Sequence, residues 1–138
     1  MLTKADLHFL KMAQIQGQRS SFSKKKRGAI LAKDNKVVAA GTSSHLNESG
    51  ATNQSGQLSE NERYVATVNA EIVAVGAAIK AGIFLSGCTV YVSDCPNWQT
   101  FKFLVTLGLK RIVHFGPTQN ERILHYSREM GVEILGIG

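Results

Sequence analysis

The chain has two cysteines, two prolines and one tryptophan among 138 residues, and no apolar run near the 18–20 residues of a membrane span. A membrane-spanning role is therefore not expected. The opening Met-Leu-Thr-Lys-Ala-Asp is polar and has no apolar core of a secretory signal, which makes the cytoplasm the expected compartment. Cys88 and Cys95 stand seven positions apart in a stretch that reads as strand. At about 3.3 Å per residue they are beyond disulfide reach, and two cysteines alone do not make a zinc site. Acidic residues are also in short supply: 10 against 16 lysines and arginines, a net charge of +6. That imbalance suits a polyanionic partner, a nucleotide or nucleic acid. The densest basic run, Lys24 to Arg27, reads either as a solvated segment or as a phosphate contact.

What is present is ordinary globular material, 43% hydrophobic and 19% charged, with one domain expected over residues 1–138. Leu7, Leu10, Met12 and Ile15 with a Thr3 cap predict a first helix from Leu2 to about Gln16. Gly28–Ala32 and Val37–Ala40 flank Asp34-Asn35 and predict a hairpin. Residues 42–67 are a long polar stretch that reads as a loop, either functional or mobile. Helices are expected over Ala70–Lys80, Asn97–Leu107 and Thr118–Met130. Strands are expected over Cys88–Ser93, Arg111–Phe115 and Val132–Leu135. This alternation implies parallel strands covered by helices on both faces, a three-layer α/β/α fold. Ligands of such sheets sit beyond the carboxyl ends of strands, beside helix N-termini. Two segments lie at such places: Ser93-Asp94-Cys95-Pro96-Asn97 and Asn69-Ala70-Glu71.

These two segments resemble the cytidine/deoxycytidylate (dCMP) deaminase superfamily, which opens one helix with His-Ala-Glu and the next with Pro-Cys-x-x-Cys. The likeness extends to the hairpin Arg27–Gly41, to Tyr91-Val92-Ser93 and to Gly108-Leu109-Lys110-Arg111-Ile112-Val113. It implies a cytidine-deaminase-like fold with a mixed five-stranded sheet. In the family, the His and both Cys hold zinc, which activates a water, and the Glu moves protons. Carried over residue by residue, the Glu is Glu71 and the proline is Pro96, but the histidine falls on Asn69 and the cysteines on Asn97 and Thr100. Cys95 stands one residue before the proline, outside the motif. A "G-x-N" substrate contact in the family corresponds here to Gly41-Thr42-Ser43.

Neutral amide and hydroxyl oxygens are poor ligands for an ion that takes thiolate and imidazole. No metal and no cofactor are therefore expected, and deamination through zinc hydroxide is not. Candidate binding residues are Ser43, Asn69, Ala70, Cys95, Pro96, Asn97, Trp98 and Thr100, with Glu71 as the one candidate catalytic group. Asn69, Asn97 and Thr100 form either a polar plug or a neutral donor and acceptor set for a ligand. Glu71 fits acid-base work, and equally fits the dipole at a helix start. Trp98 reads as a stacking platform for a base or as packing against the sheet. Of the remaining metal-capable side chains, His114 and His125 read as structural or surface histidines, His45 lies in the long loop where it could fold over the site without binding metal, and Cys95 is expected to be a buried thiol at a strand end.

The leading expectation is a zinc-less family member that binds a pyrimidine nucleotide, a nucleic acid or a deaminase-like partner, and that forms oligomers as the resemblance implies. A metal-free enzyme using Glu71 and a deaminase with an unrecognised metal site are the alternatives.

Overall fold

The computed structural model describes residues 2–20, 26–46 and 67–138. Helix α1 (Lys4–Gly17) opens on a capping box: the Thr3 hydroxyl accepts from the Asp6 N–H, and the Asp6 carboxylate accepts from the Thr3 N–H. Its buried stripe is Asp6, Phe9, Leu10, Ala13 and Gly17, whereas Leu7 and Ile15, expected in the core, are more than half exposed. The stripe turns this way because the small residues Ala13 and Gly17 let the helix lie close against the first strand. A Cβ on Gly28 would strike the backbone of Ala13 and Gly17.

Strands β1 (Gly28–Lys33) and β2 (Lys36–Thr42) form the expected hairpin. Asp34 and Asn35 both take positive φ, 52° and 62°, the backbone that a tight two-residue turn demands. The polar stretch begins and ends in order. Short strands β3 (Ser44–His45) and β4 (Thr67–Val68) pair antiparallel, and residues 47–66 between them lie outside the described residues.

Helix α2 (Ala70–Lys80), strand β5 (Thr89–Val92), helix α3 (Trp98–Thr106), strand β6 (Arg111–Phe115), helix α4 (Glu121–Met130) and strand β7 (Glu133–Ile137) complete the chain. The main sheet has the order β2-β1-β5-β6-β7. β1 is antiparallel to both neighbours, while β5, β6 and β7 run parallel. Alternation along the strands divides the core. Ile30, Ala32, Tyr91 and Val113 face α1 with Phe9 and Leu10. On the other face Leu31, Val90, Val92 and Ile112 pack with Val75, Phe101, Leu104 and Ile123 of the remaining helices. The fold is thus the three-layer α/β/α arrangement with a mixed five-stranded sheet. Among the described residues, no helix is long and apolar enough to cross a membrane.

Several boundaries differ from expectation by a few residues, and two of the differences have a local cause. α4 starts at Glu121, capped by the Asn120 side chain, because the Thr118 hydroxyl is engaged with His114. β7 continues to Ile137, whose carbonyl accepts from the Gly116 N–H at 2.6 Å.

α2 crosses β2 at Gly41, where a Cβ would lie 2.5 Å from both the Ala70 carbonyl oxygen and the Ala74 nitrogen. Both obstacles are backbone, so Gly41→Ala must push the start of α2 outward. We expect it to cost about 1–3 kcal/mol, the usual penalty of overpacking, read as a lower Tm in a thermal melt.

Candidate functional site

The site forms where the C-terminal end of β5 meets the N-termini of α2 and α3. Antiparallel pairing sets Ala29 opposite Val92, so Arg27 lies beside the segment that follows β5. Its guanidinium donates to the Asp94 carboxylate at 2.9 Å, and the Gly28 N–H donates to the Ser93 hydroxyl at 3.0 Å. The Arg27–Asp94 pair escapes a reading confined to helix and strand periods. It follows from the β1–β5 register, which sets residue 27 beyond the end of β5.

Asn69 and Asn97 are the N-caps of α2 and α3. Asn97 caps its own helix, its Oδ1 accepting from the Thr100 N–H at 2.8 Å. Asn69 makes no side-chain cap bond to α2; instead its Nδ2 donates to the Thr100 hydroxyl of the neighbouring helix at 2.8 Å. The structure therefore brings together Asn69, Thr100 and Asn97, the residues that the resemblance sets at the zinc-ligand positions, as a hydrogen-bonded chain from Asn69 through Thr100 to Asn97.

Glu71 lies in the first turn of α2 and is fully buried, and neither carboxylate oxygen has a hydrogen-bond partner among the described residues. Burial pushes its carboxyl above the ordinary carboxylate range, against the pull of its own backbone N–H and of Arg27, and the Asp94 charge pushes the same way as burial. An unpaired buried carboxylate is costly, so the neutral acid is the favoured form.

Cys95 is half-buried in the loop after β5, not the buried thiol expected there; Cys88 is the buried one, and both are free. Burial raises the Cys95 thiol, and the Asp94 charge raises it further against the pull of Arg27, which makes it a poor nucleophile. Pro96 is buried beside it. Ala70 is buried against Ala29 and Ala74, contributing shape rather than polar chemistry.

Ser43 and Trp98 are engaged elsewhere. The Ser43 hydroxyl meets Ser20 at 2.9 Å and accepts from the Arg27 N–H at 3.2 Å, tying two segments together under the rim. Trp98 stacks on Phe101, tilts against Tyr126 and carries the Lys102 ammonium over its ring, so packing explains its position.

The histidines divide similarly. His114 is fully buried on β6; its Nδ1 donates to the Phe115 carbonyl, which leaves Nε2 to accept from the Thr118 hydroxyl at 2.7 Å. His125 is exposed on α4 and lies 3.9 Å from Glu129, while His45 belongs to the rim strand β3. Of the basic run, Lys26 and Arg27 are described; Lys24 and Lys25 lie outside the described residues. Among the described residues, no three His, Cys, Asp or Glu side chains gather as a metal-binding group.

Residues 3–115 match the family model described as the cytidine and deoxycytidylate deaminase zinc-binding region. Among solved structures, the apo dCMP deaminase of cyanophage S-TIM5 is 20% identical, with a TM-score of 0.78 over 99% of this chain and 100% of that one. The same cyanophage enzyme has been solved in complex with dCMP and dUMP, 19% identical, with a TM-score of 0.75 over 99% of each chain. A diaminohydroxyphosphoribosylaminopyrimidine deaminase/reductase of Thermotoga maritima is 19% identical, with a TM-score of 0.67 over 96% of this chain and 36% of that one. At these identities the likeness concerns the fold. No curated protein sequence matches the chain.

Proposed function

Because this chain belongs to the cytidine and deoxycytidylate deaminase family, we propose that it binds a nucleotide in the family's cleft without deaminating it through zinc hydroxide. The observation that carries this reading is the chain Asn69–Thr100–Asn97. Zinc would need deprotonated thiolate or neutral imidazole donors. These three side chains offer only neutral amide and hydroxyl oxygens. The Thr100 oxygen already accepts from Asn69, and the Asn97 oxygen already caps α3. The donor set does not fit the metal, and no step is routed through it.

A nucleotide suits the rest of the site. The N-termini of α2 and α3 meet at the site, Arg27 lies beside it in its pair with Asp94, and the chain carries a net charge of +6. The cyanophage relative bound to dCMP and dUMP makes pyrimidine nucleotides the first class to try. Nucleic acid, a second copy of the chain and an active deaminase-like subunit are the corresponding partner readings, and light scattering of the purified protein distinguishes monomer from oligomer. The orphaned acid of Glu71 favours one second reading, proton transfer in a metal-free reaction on the same ligand.

The test is elemental analysis of untagged protein never exposed to chelator, alongside turnover assays on dCMP and cytidine. We expect zinc well below one per chain and no ammonia release. About one zinc per chain with turnover would overturn the reading in favour of a deaminase with a different ligand set.

A further inference from the structure

Resting on that nucleotide-binding reading, we propose that Arg27 receives the ligand's phosphate and that Asp94 is a built-in brake on its affinity. The site then takes a phosphate monoester in preference to the free nucleoside.

The Arg27–Asp94 pair is poorly explained by stability. The Arg27 side chain is 21% exposed and the Asp94 side chain 56%, and ion pairs so open to water contribute little. Both groups are nevertheless held in place. The Arg27 N–H donates to the Ser43 hydroxyl at 3.2 Å and the Arg27 carbonyl accepts from the Ser43 N–H at 3.0 Å, which pins the backbone there. Asp94 takes the Cys95 N–H on Oδ1 at 2.8 Å and turns Oδ2 to the guanidinium. The contact between them is single-pronged, through Nη2 alone.

Most of the guanidinium is thus left over. Among the described residues Nε and Nη1 have no hydrogen-bond partner, and neither is a buried atom, so both face solvent. Two parallel N–H groups on a planar fork match two oxygens of a phosphate dianion. The place suits a ligand too. Residue 27 lies past the carboxyl end of β5, where ligands of such sheets bind, and α3 begins four residues after Asp94. Both charges reach Glu71, Arg27 lowering its carboxyl and Asp94 raising it. Because the Cys95 N–H retains Asp94, a phosphate on Arg27 keeps a carboxylate as neighbour, and the repulsion holds its affinity down.

Isothermal titration of the full chain with dUMP and dCMP, and with deoxyuridine and deoxycytidine, tests this. Each monophosphate should bind roughly ten-fold or more tightly than its nucleoside, the effect of charge-assisted hydrogen bonds. Arg27→Gln should erase that difference. Asp94→Asn keeps an acceptor for Nη2 without the charge, and should tighten both monophosphates about three- to ten-fold with the nucleosides unchanged. Circular dichroism verifies both folds; if Arg27→Gln does not fold, the wild-type ratio and Asp94→Asn, at an exposed side chain, decide. Equal binding of monophosphate and nucleoside, a preference that survives Arg27→Gln, or no tightening in Asp94→Asn overturns the proposal and leaves binding at the site intact. Binding of none of the four at millimolar concentration overturns the nucleotide reading and the proposal with it.

Discussion

Replacing Arg111 by alanine should destabilise the protein by about 3 kcal/mol, the lower end of the range for stripping a buried charge of its partner. Asp6 is 2% exposed on the inner face of α1. Arg111 reaches it from β6 with both terminal nitrogens, at 2.6 and 2.7 Å, and turns its Nε to Glu133 of β7 at 2.7 Å. Tyr91 of β5 donates its hydroxyl to the same Asp6 carboxylate at 2.6 Å. One side chain of α1 is thereby held to two adjacent strands and, through Arg111, to a third. Removing Arg111 leaves Asp6 with the Tyr91 hydroxyl and the Thr3 N–H, and these two donors keep the loss near the bottom of the range.

The pH dependence gives an independent check. The Arg111 guanidinium holds the Asp6 carboxyl well below the usual carboxylate range, against the opposing effect of burial. A depressed carboxyl contributes stability that is present above the unfolded value, about pH 4, and is lost as pH falls through the folded value. The wild type should therefore resist acid, and Arg111→Ala should move its acid unfolding to higher pH. Urea titrations at neutral and acidic pH measure both effects. A loss below about 1 kcal/mol would show that the network contributes little.

The second large effect has the opposite sign. Glu71→Gln should raise stability relative to the wild type, increasingly so as the solution becomes more alkaline. Burial raises the Glu71 carboxyl in the folded state. A raised group contributes stability that is fully present below its unfolded value, about pH 4, and is lost as pH rises through the folded value. Within that window the unfolded chain has released the proton and the folded chain still holds it. The wild type then loses up to about 1.4 kcal/mol per pH unit, and the glutamine variant does not. Thermal melts of both proteins from pH 4 to pH 9 should start close together and diverge. Parallel curves would show that a group outside the described residues ionises or satisfies Glu71.

Local chemistry was legible in the chain wherever cause and effect lie within a few residues. Thr3 with Asp6, the Asp34-Asn35 turn and the alternating strands all declare themselves, and the paired helix starts at Asn69 and Trp98 mark the site. Even the Asn97 cap on Thr100 is a three-residue matter. What stayed hidden depends on distant partners. Asp6 and Arg111 are 105 positions apart, and no periodicity links them. Leu7 and Ile15 look like core until Gly17 and Gly28 fix how α1 lies on β1. The isolation of Glu71 was equally invisible, because a carboxylate in a first turn suits solvent as well as it suits burial. Asn69 bridging to Thr100 required both helix starts to be in place before the two side chains could meet.

That bridge also bears on how the protein is made. In a site built around an ion, the ligands converge only once the ion arrives, so maturation waits on its supply. Here Asn97 closes α3 from within, and Asn69 fastens α2 to it with groups the ribosome has already provided. Newly synthesised chains should reach their final form in metal-starved cells as readily as in replete ones, and refolding in the presence of a strong chelator should lose neither yield nor speed.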